Sequence, residues 1–121
     1  MSDPERRQRG LDKMKEVMGF AMEPPDLFTG LTVDAVFGDI WTRPGLTRKE
    51  RRWISLTLAA ASGTPAAYVS HLRAALTSGD ISRAEIDEWI VQFAHYAGWP
   101  TAAGVYMELR KLDEELATGD G

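Results

Sequence analysis

The chain has 121 residues, a formal net charge of -4 and a hydrophobic fraction of 44%, the size and composition of one folded domain rather than a disordered chain. It contains no cysteine, which excludes disulfides, thiolate metal sites and thiol redox chemistry. An acidic balance is wrong for a nucleic-acid-binding domain, and no run approaches the roughly 18 apolar residues of a membrane span.

Residues 4–18 place Leu11, Met14, Val17 and Met18 at helical spacing, with Gly19 as the stop. This predicts an amphipathic first helix whose early part is weakened by Gly10. The charged N-terminus is followed by no apolar stretch of the kind a signal peptide needs, so the expected setting is the cytoplasm. Pro24-Pro25 makes 20–30 a connector, because consecutive prolines forbid helix continuation. A shorter helix is expected over about 27–39, with Leu27, Leu31, Phe37 and Ile40 available for packing, and then a loop from Ile40 to Leu46 fixed by Pro44-Gly45. Thr47 and Glu50 form a candidate capping box opening a helix that ends at Gly63. Its second half (Ile54, Leu56, Leu58, Ala59, Ala60, Ala61) is apolar enough to predict burial on more than one side.

Thr64-Pro65 opens the next helix, expected to run to Ser78 and stop at Gly79. Ser82 and Glu85 form a second capping box. Behind it Ile86, Trp89, Ile90, Phe93, Ala94 and Ala97 fall on one 3.6-residue stripe. Gly98 is expected to end that helix in the left-handed conformation, and Pro100 to open a last helix reaching about Leu116. No segment alternates as a strand does. The expected fold is all-α, with about six helices. Its apolar faces, with four tryptophans, exceed what a monomer of this size covers, which predicts a homo-oligomer.

The familiar catalytic motifs are absent: there is no cysteine nucleophile, no HExxH and no phosphate loop. Two histidines without cysteine make a zinc site unfavourable, so no metal or cofactor is expected. His71 shares a helix face with Tyr68, Leu72 and Ala75, the side expected to look inward. A half-buried histidine there can donate or accept a proton near neutral pH, although spacing alone favours a packed histidine with no role. His95 falls off the apolar stripe, which favours a solvent or subunit contact. Arg43, Arg48, Lys49, Arg51 and Arg52 crowd into ten residues. They read as a solvated helix start with salt bridges, or as an anion site for a small carboxylated ligand.

Three segments carry a resemblance: GDIWTRPGL (Gly38–Leu46), SHLRAALTSGDISRAEIDEWI (Ser70–Ile90) and FAHYAGWPTA (Phe93–Ala102). In order and spacing they resemble the carboxymuconolactone decarboxylase family over roughly Phe37 to Glu115. The resemblance implies a single domain over 1–121, with 1–36 as an N-terminal helical extension and 37–115 as the family core. It also implies an all-α fold assembled as a trimer or hexamer. The implied activity is cofactor-free decarboxylation of 4-carboxymuconolactone to 3-oxoadipate enol-lactone, within aromatic catabolism by the β-ketoadipate pathway. The superfamily also holds AhpD-like thiol peroxidases. Aligned through His71, their cysteines fall on Thr64 and Ala67 and their glutamate on Arg52, so peroxidase chemistry is excluded for want of a thiolate.

By the same resemblance His71 protonates carbon after CO2 is lost, while Arg43, Arg52 and Arg73 hold carboxylates in bidentate fashion and Trp41 and Tyr96 wall the pocket. The chain departs from the decarboxylases one turn before the histidine, where Ala67 stands in place of a carboxylate. Two other readings stay open: an enzyme of this fold acting on a different lactone or enol, and a non-catalytic oligomeric binding protein.

Overall fold

The computed structural model describes residues 3–119, which form helices and no strand. They divide into two compact units, one ending at Arg51 and one beginning at Arg52.

In the first unit α1 (Pro4–Met18) opens on Asp3, whose Oδ1 accepts from the Glu5 and Arg6 amides at 3.0 and 3.3 Å. It ends at Gly19 in the left-handed conformation, φ 84°. After the proline connector, Asp26 caps α2 (Leu27–Leu31) by accepting from the Thr29 amide at 2.9 Å. Here the structure departs from a simple helix over 27–39. From Thr32 to Ile40 the chain continues as a π-helix, and at its end Trp41 N–H donates to the Val36 carbonyl at 3.0 Å, five residues back. A pattern read at 3.6 residues per turn cannot show this wider winding.

The wide turn lies against α1 at very short range. Gly10 is buried, and a Cβ there would come within 2.8 Å of the Val33 carbonyl carbon. At Gly38 a Cβ would come within 3.1 Å of the Arg6 carbonyl oxygen. Gly10 is thus the residue that lets the two backbones meet. Behind this contact Val17, Phe37 and Trp41 make a small core with Met14 and Met18.

Ion pairs fasten the same two helices. Arg7 reaches Asp34 through Nε at 2.6 Å and Nη2 at 3.0 Å, Arg6 reaches Asp39 at 2.6 Å, and the Arg9 Nε donates to the Gly38 carbonyl at 2.9 Å. Hydrogen bonds from Arg7 and Arg6 hold the Asp34 and Asp39 carboxyls below the usual carboxylate range. A carboxylate depressed in the folded state contributes stability above its unfolded pKa and loses it as pH falls through the folded value. The first unit should therefore loosen on acidification below about pH 4. Hydrogen exchange of α1 peptides, corrected for the intrinsic rate, checks this, and protection unchanged down to about pH 2 would remove these pairs as the cause.

Helix α3 (Arg48–Ala61) begins in the first unit and supplies the second from Arg52 onward. Its capping box is present: the Glu50 amide donates to Thr47 Oγ1 at 3.1 Å and the Thr47 amide to Glu50 Oε1 at 2.8 Å. The remaining helices are α4 (Pro65–Thr77), α5 (Arg83–Ala97) and α6 (Trp99–Ala117). The Ser82–Glu85 box opens α5 as expected. Gly98 has positive φ but ψ 144°, an extended glycine conformation rather than the left-handed helical stop expected there, and α6 starts at Trp99 with Pro100 in its first turn.

The second unit's core gathers Leu56, Tyr68, Leu72, Ile81, Ile86, Phe93, Val105, Leu109 and Leu112. Only one stripe of α3 enters it: Arg52, Leu56 and Ala60 are buried, whereas Ile54 and Leu58 are exposed. Burial of α3 on several sides is thus not seen within this chain. Tyr96, Trp99 and Met107 are exposed as well.

Candidate functional site

His71 lies mid-way along α4, with Tyr68, Leu72 and Ala75 buried on the same side. Its ring is half buried, and Nδ1 is shut off from solvent without a hydrogen-bond partner. Burial, and after it the charge of Arg52, push the imidazole pKa below its ordinary value. Both effects disfavour the cation, so they favour the neutral imidazole in the free protein. Ala67, one turn upstream, has no carboxylate to oppose them.

Arg52 is the cation at this place. It is 2% exposed, and its Nε donates to Asp80 Oδ2 at 2.7 Å, a partner 28 residues away on the turn before α5. The structure therefore brings His71 and Arg52 into electrostatic contact. Arg73 is turned elsewhere, with Nη2 at 2.6 Å from Glu115 Oε2 on α6, as expected of a residue two positions from His71 on a helix. Tyr96 is also apart. It is 86% exposed and lines an apolar cavity of about 440 Å³ with Thr57, Ala61, Trp89 and Phe93, to which His71 and Arg52 contribute nothing. Trp89 is fixed there by its indole N–H donating to Thr57 Oγ1 at 3.0 Å and by stacking on Phe93 at 5.2 Å.

The other two expected site residues belong to the first unit. Trp41, expected as a pocket wall, is buried and stacks on Phe37 at 6.2 Å, a packing position. Arg43 is exposed on the loop after the π-helix, and its carbonyl accepts from Arg51 Nη2 at 3.0 Å. Arg51 itself was not singled out from the basic cluster, yet its Nε is buried without a partner. His95 is exposed, with Nδ1 at 2.7 Å from the Val91 carbonyl and its ring edge-on to Trp99.

Among the described residues no three His, Asp or Glu side chains gather as a metal site. What the arrangement offers is an imidazole able to exchange a proton beside a fixed positive charge. The profile of the carboxymuconolactone decarboxylase family matches residues 26–109. A 4-carboxymuconolactone decarboxylase of Acinetobacter baylyi (strain ATCC 33305 / BD413 / ADP1) is 29% identical over 111 residues, covering 84% of this chain and 82% of that protein. No solved structure matches.

Proposed function

We propose that this chain, which belongs to the carboxymuconolactone decarboxylase family, is a cofactor-free decarboxylase of 4-carboxymuconolactone or a related small carboxylated lactone. The observation that carries this reading is the partnerless, half-buried imidazole of His71 beside the buried guanidinium of Arg52. In the reaction the bond between the ring carbon and its carboxylate breaks and CO2 leaves. The electron pair delocalises toward the lactone carbonyl oxygen, and a ring carbon takes up one proton. A fixed cation stabilises the negative charge as it spreads, which is the role of Arg52, and His71 delivers the proton.

The neutral state of the free imidazole fits this sequence. An anionic substrate arriving against His71 opposes the charge of Arg52 and raises the ring's affinity for a proton, so the acid is created together with the complex. Arg73, paired with Glu115, Trp41, packed on Phe37, and Tyr96, on a cavity apart from His71, take no part in this step. The exposed Leu58, Tyr96 and Trp99 support a homo-oligomer, trimer or hexamer, because apolar faces of this kind favour subunit contact. No helix among the described residues is long and apolar enough to cross a membrane, in keeping with a cytoplasmic role in aromatic catabolism.

Ala67 supports a second reading, the same chemistry on another lactone or enol, since the imidazole has no carboxylate on that turn to orient it. The deciding measurement is turnover of enzymatically generated 4-carboxymuconolactone, followed in the ultraviolet, for wild type beside His71→Ala. Turnover by wild type and a loss of about 100-fold or more in the variant is the expected result. A folded, oligomeric wild type that leaves this lactone untouched would remove it as the substrate and move the search to other carboxylated lactones, and then to a binding role.

A further inference from the structure

Beside the cavity that Tyr96 lines lies another of about 500 Å³, lined by Trp53, Ala84, Glu85, Glu88, Trp89 and Gln92. All six residues belong to the second unit, and a space of this size suits a small organic molecule. Glu85, Glu88, Trp89 and Gln92 fall at i, i+3, i+4 and i+7 on α5, so they share one face of that helix. Its aromatic walls are fixed in advance. The Trp89 indole N–H donates to Thr57 Oγ1 at 3.0 Å, and the Thr57 hydroxyl donates to the Trp53 carbonyl at 2.7 Å. One chain of hydrogen bonds thus ties the Trp89 ring to the backbone of the opposite wall. It uses the indole's single polar group, which leaves the π surface to meet a ligand. Trp53 and Trp89 both rest against the apolar core.

The charge in this cavity has one sign: two carboxylates line it, and no lysine, arginine or histidine does. Glu85 is partly spent on the α5 cap, where it accepts from the Ser82 amide at 2.9 Å. Glu88, exposed in the second turn of α5, forms no hydrogen bond or ion pair among the described residues. The nearest cation along α5, Arg83, is turned to Asp87 and Asp113. The positive end of the α5 dipole fades within the first turn, where Glu85 stands.

We infer that this cavity binds a small organic ammonium ion, held against the Trp53 and Trp89 rings with Glu88 as its counter-charge. A cation is attracted to the face of an aromatic ring, most strongly to tryptophan, and an alkylated ammonium adds apolar contact that a metal ion lacks. A carboxylated lactone is repelled by the same two glutamates. The site is therefore distinct from the one proposed at His71, and it does not rest on the decarboxylase reading.

The test is a titration of the whole protein with choline at constant ionic strength, followed through the indole N–H resonances of Trp53 and Trp89. Its uncharged analogue, with carbon in place of the ammonium nitrogen, is titrated in parallel. Choline should shift both resonances saturably, with Kd of about 1 mM, and the uncharged analogue should bind about fivefold more weakly or worse. Glu88→Gln and Trp53→Leu, each checked by thermal melting, should weaken choline binding by about threefold or more. Glu88 is exposed, so its variant carries the test if Trp53→Leu does not fold. Three results overturn the inference: no saturable shift at about tenfold above that concentration, equal binding of the uncharged analogue, or choline affinity unchanged in a folded Glu88→Gln. Lactone turnover does not enter, so a wild type inert toward 4-carboxymuconolactone that binds choline in this way sinks the decarboxylase reading and leaves the ammonium site standing.

Discussion

Gly10→Ala should lower the stability of the first unit by about 2 kcal/mol or more, although alanine is the better helix former. The two effects oppose each other and their sizes decide the sign. Alanine in a helix interior gains about 1 kcal/mol over glycine. Against that, the new methyl would meet the backbone carbonyl of Val33, with the carbonyl carbon at 2.8 Å and Val33 Cγ1 at 2.9 Å. Overpacking costs about 1–3 kcal/mol where side chains can adjust, occasionally more. Here the obstacle is main chain, so α1 and the π-helix must separate. Separation also draws Arg7 from Asp34 and Arg6 from Asp39. Gly104→Ala is the control: it lies within α6 with open space around the added atom and should gain up to about 1 kcal/mol. Thermal melting of both variants checks the pair. A Gly10→Ala protein that melts at or above wild type would show that the close approach is not tight.

Asp80→Ala should cost about 3 kcal/mol or more, the other large effect. Arg52 is 2% exposed, and its Nε loses the acceptor now held at 2.7 Å in a place from which water is largely excluded. Removing one side of a buried pair takes a strong acceptor from a buried charge, whereas replacing the buried charge by an apolar side chain of similar size is often tolerated. Arg52→Met should therefore stay folded and melt closer to wild type than Asp80→Ala does. The same variant separates structure from chemistry, because it removes the charge beside His71. Under the proposed mechanism it should be folded and at least about 100-fold slower. Urea unfolding and turnover of the two proteins decide the matter; a folded Arg52→Met with wild-type turnover would reduce Arg52 to a packing role.

The helices were legible where their signals are local. Ser82 with Glu85 and Thr47 with Glu50 announce helix starts because both partners of a capping box lie within four residues, and the structure shows both sets of bonds. What depends on a distant partner was not legible. The π-helix at Thr32–Ile40 lies against a glycine some twenty residues earlier, so no window over 27–40 contains its setting. Gly10 looked like a weakness in α1 for the same reason. Arg52 stood in a basic cluster that read equally as solvated charge or anion site, and only the fold reveals that Asp80 reaches it from 28 residues away. Arg51 was hidden by the same crowd, since sequence carries no sign of which nitrogen in a run of arginines is buried without an acceptor. His71 was visible through its face, Tyr68, Leu72 and Ala75, but the push on its pKa comes from burial and from α3, and neither is written in α4.

The two units are held by different forces, and this makes them answer to different solvents. In the first, α1 and the π-helix are joined by guanidinium–carboxylate contacts at partly exposed positions around a core of a few side chains. In the second, thirteen buried apolar residues make one continuous interior. Added salt screens charges over about 8 Å at physiological ionic strength and over shorter distances as salt rises, while a salting-out anion such as sulfate strengthens apolar burial. The second unit has exposed pairs of its own, Arg73–Glu115 and Arg83–Asp113, but its larger apolar interior makes simple chloride loosen the first unit more than the second, while sulfate favours the second. Ionic strength is the handle by which the N-terminal helices can be relaxed more than the helices that carry His71.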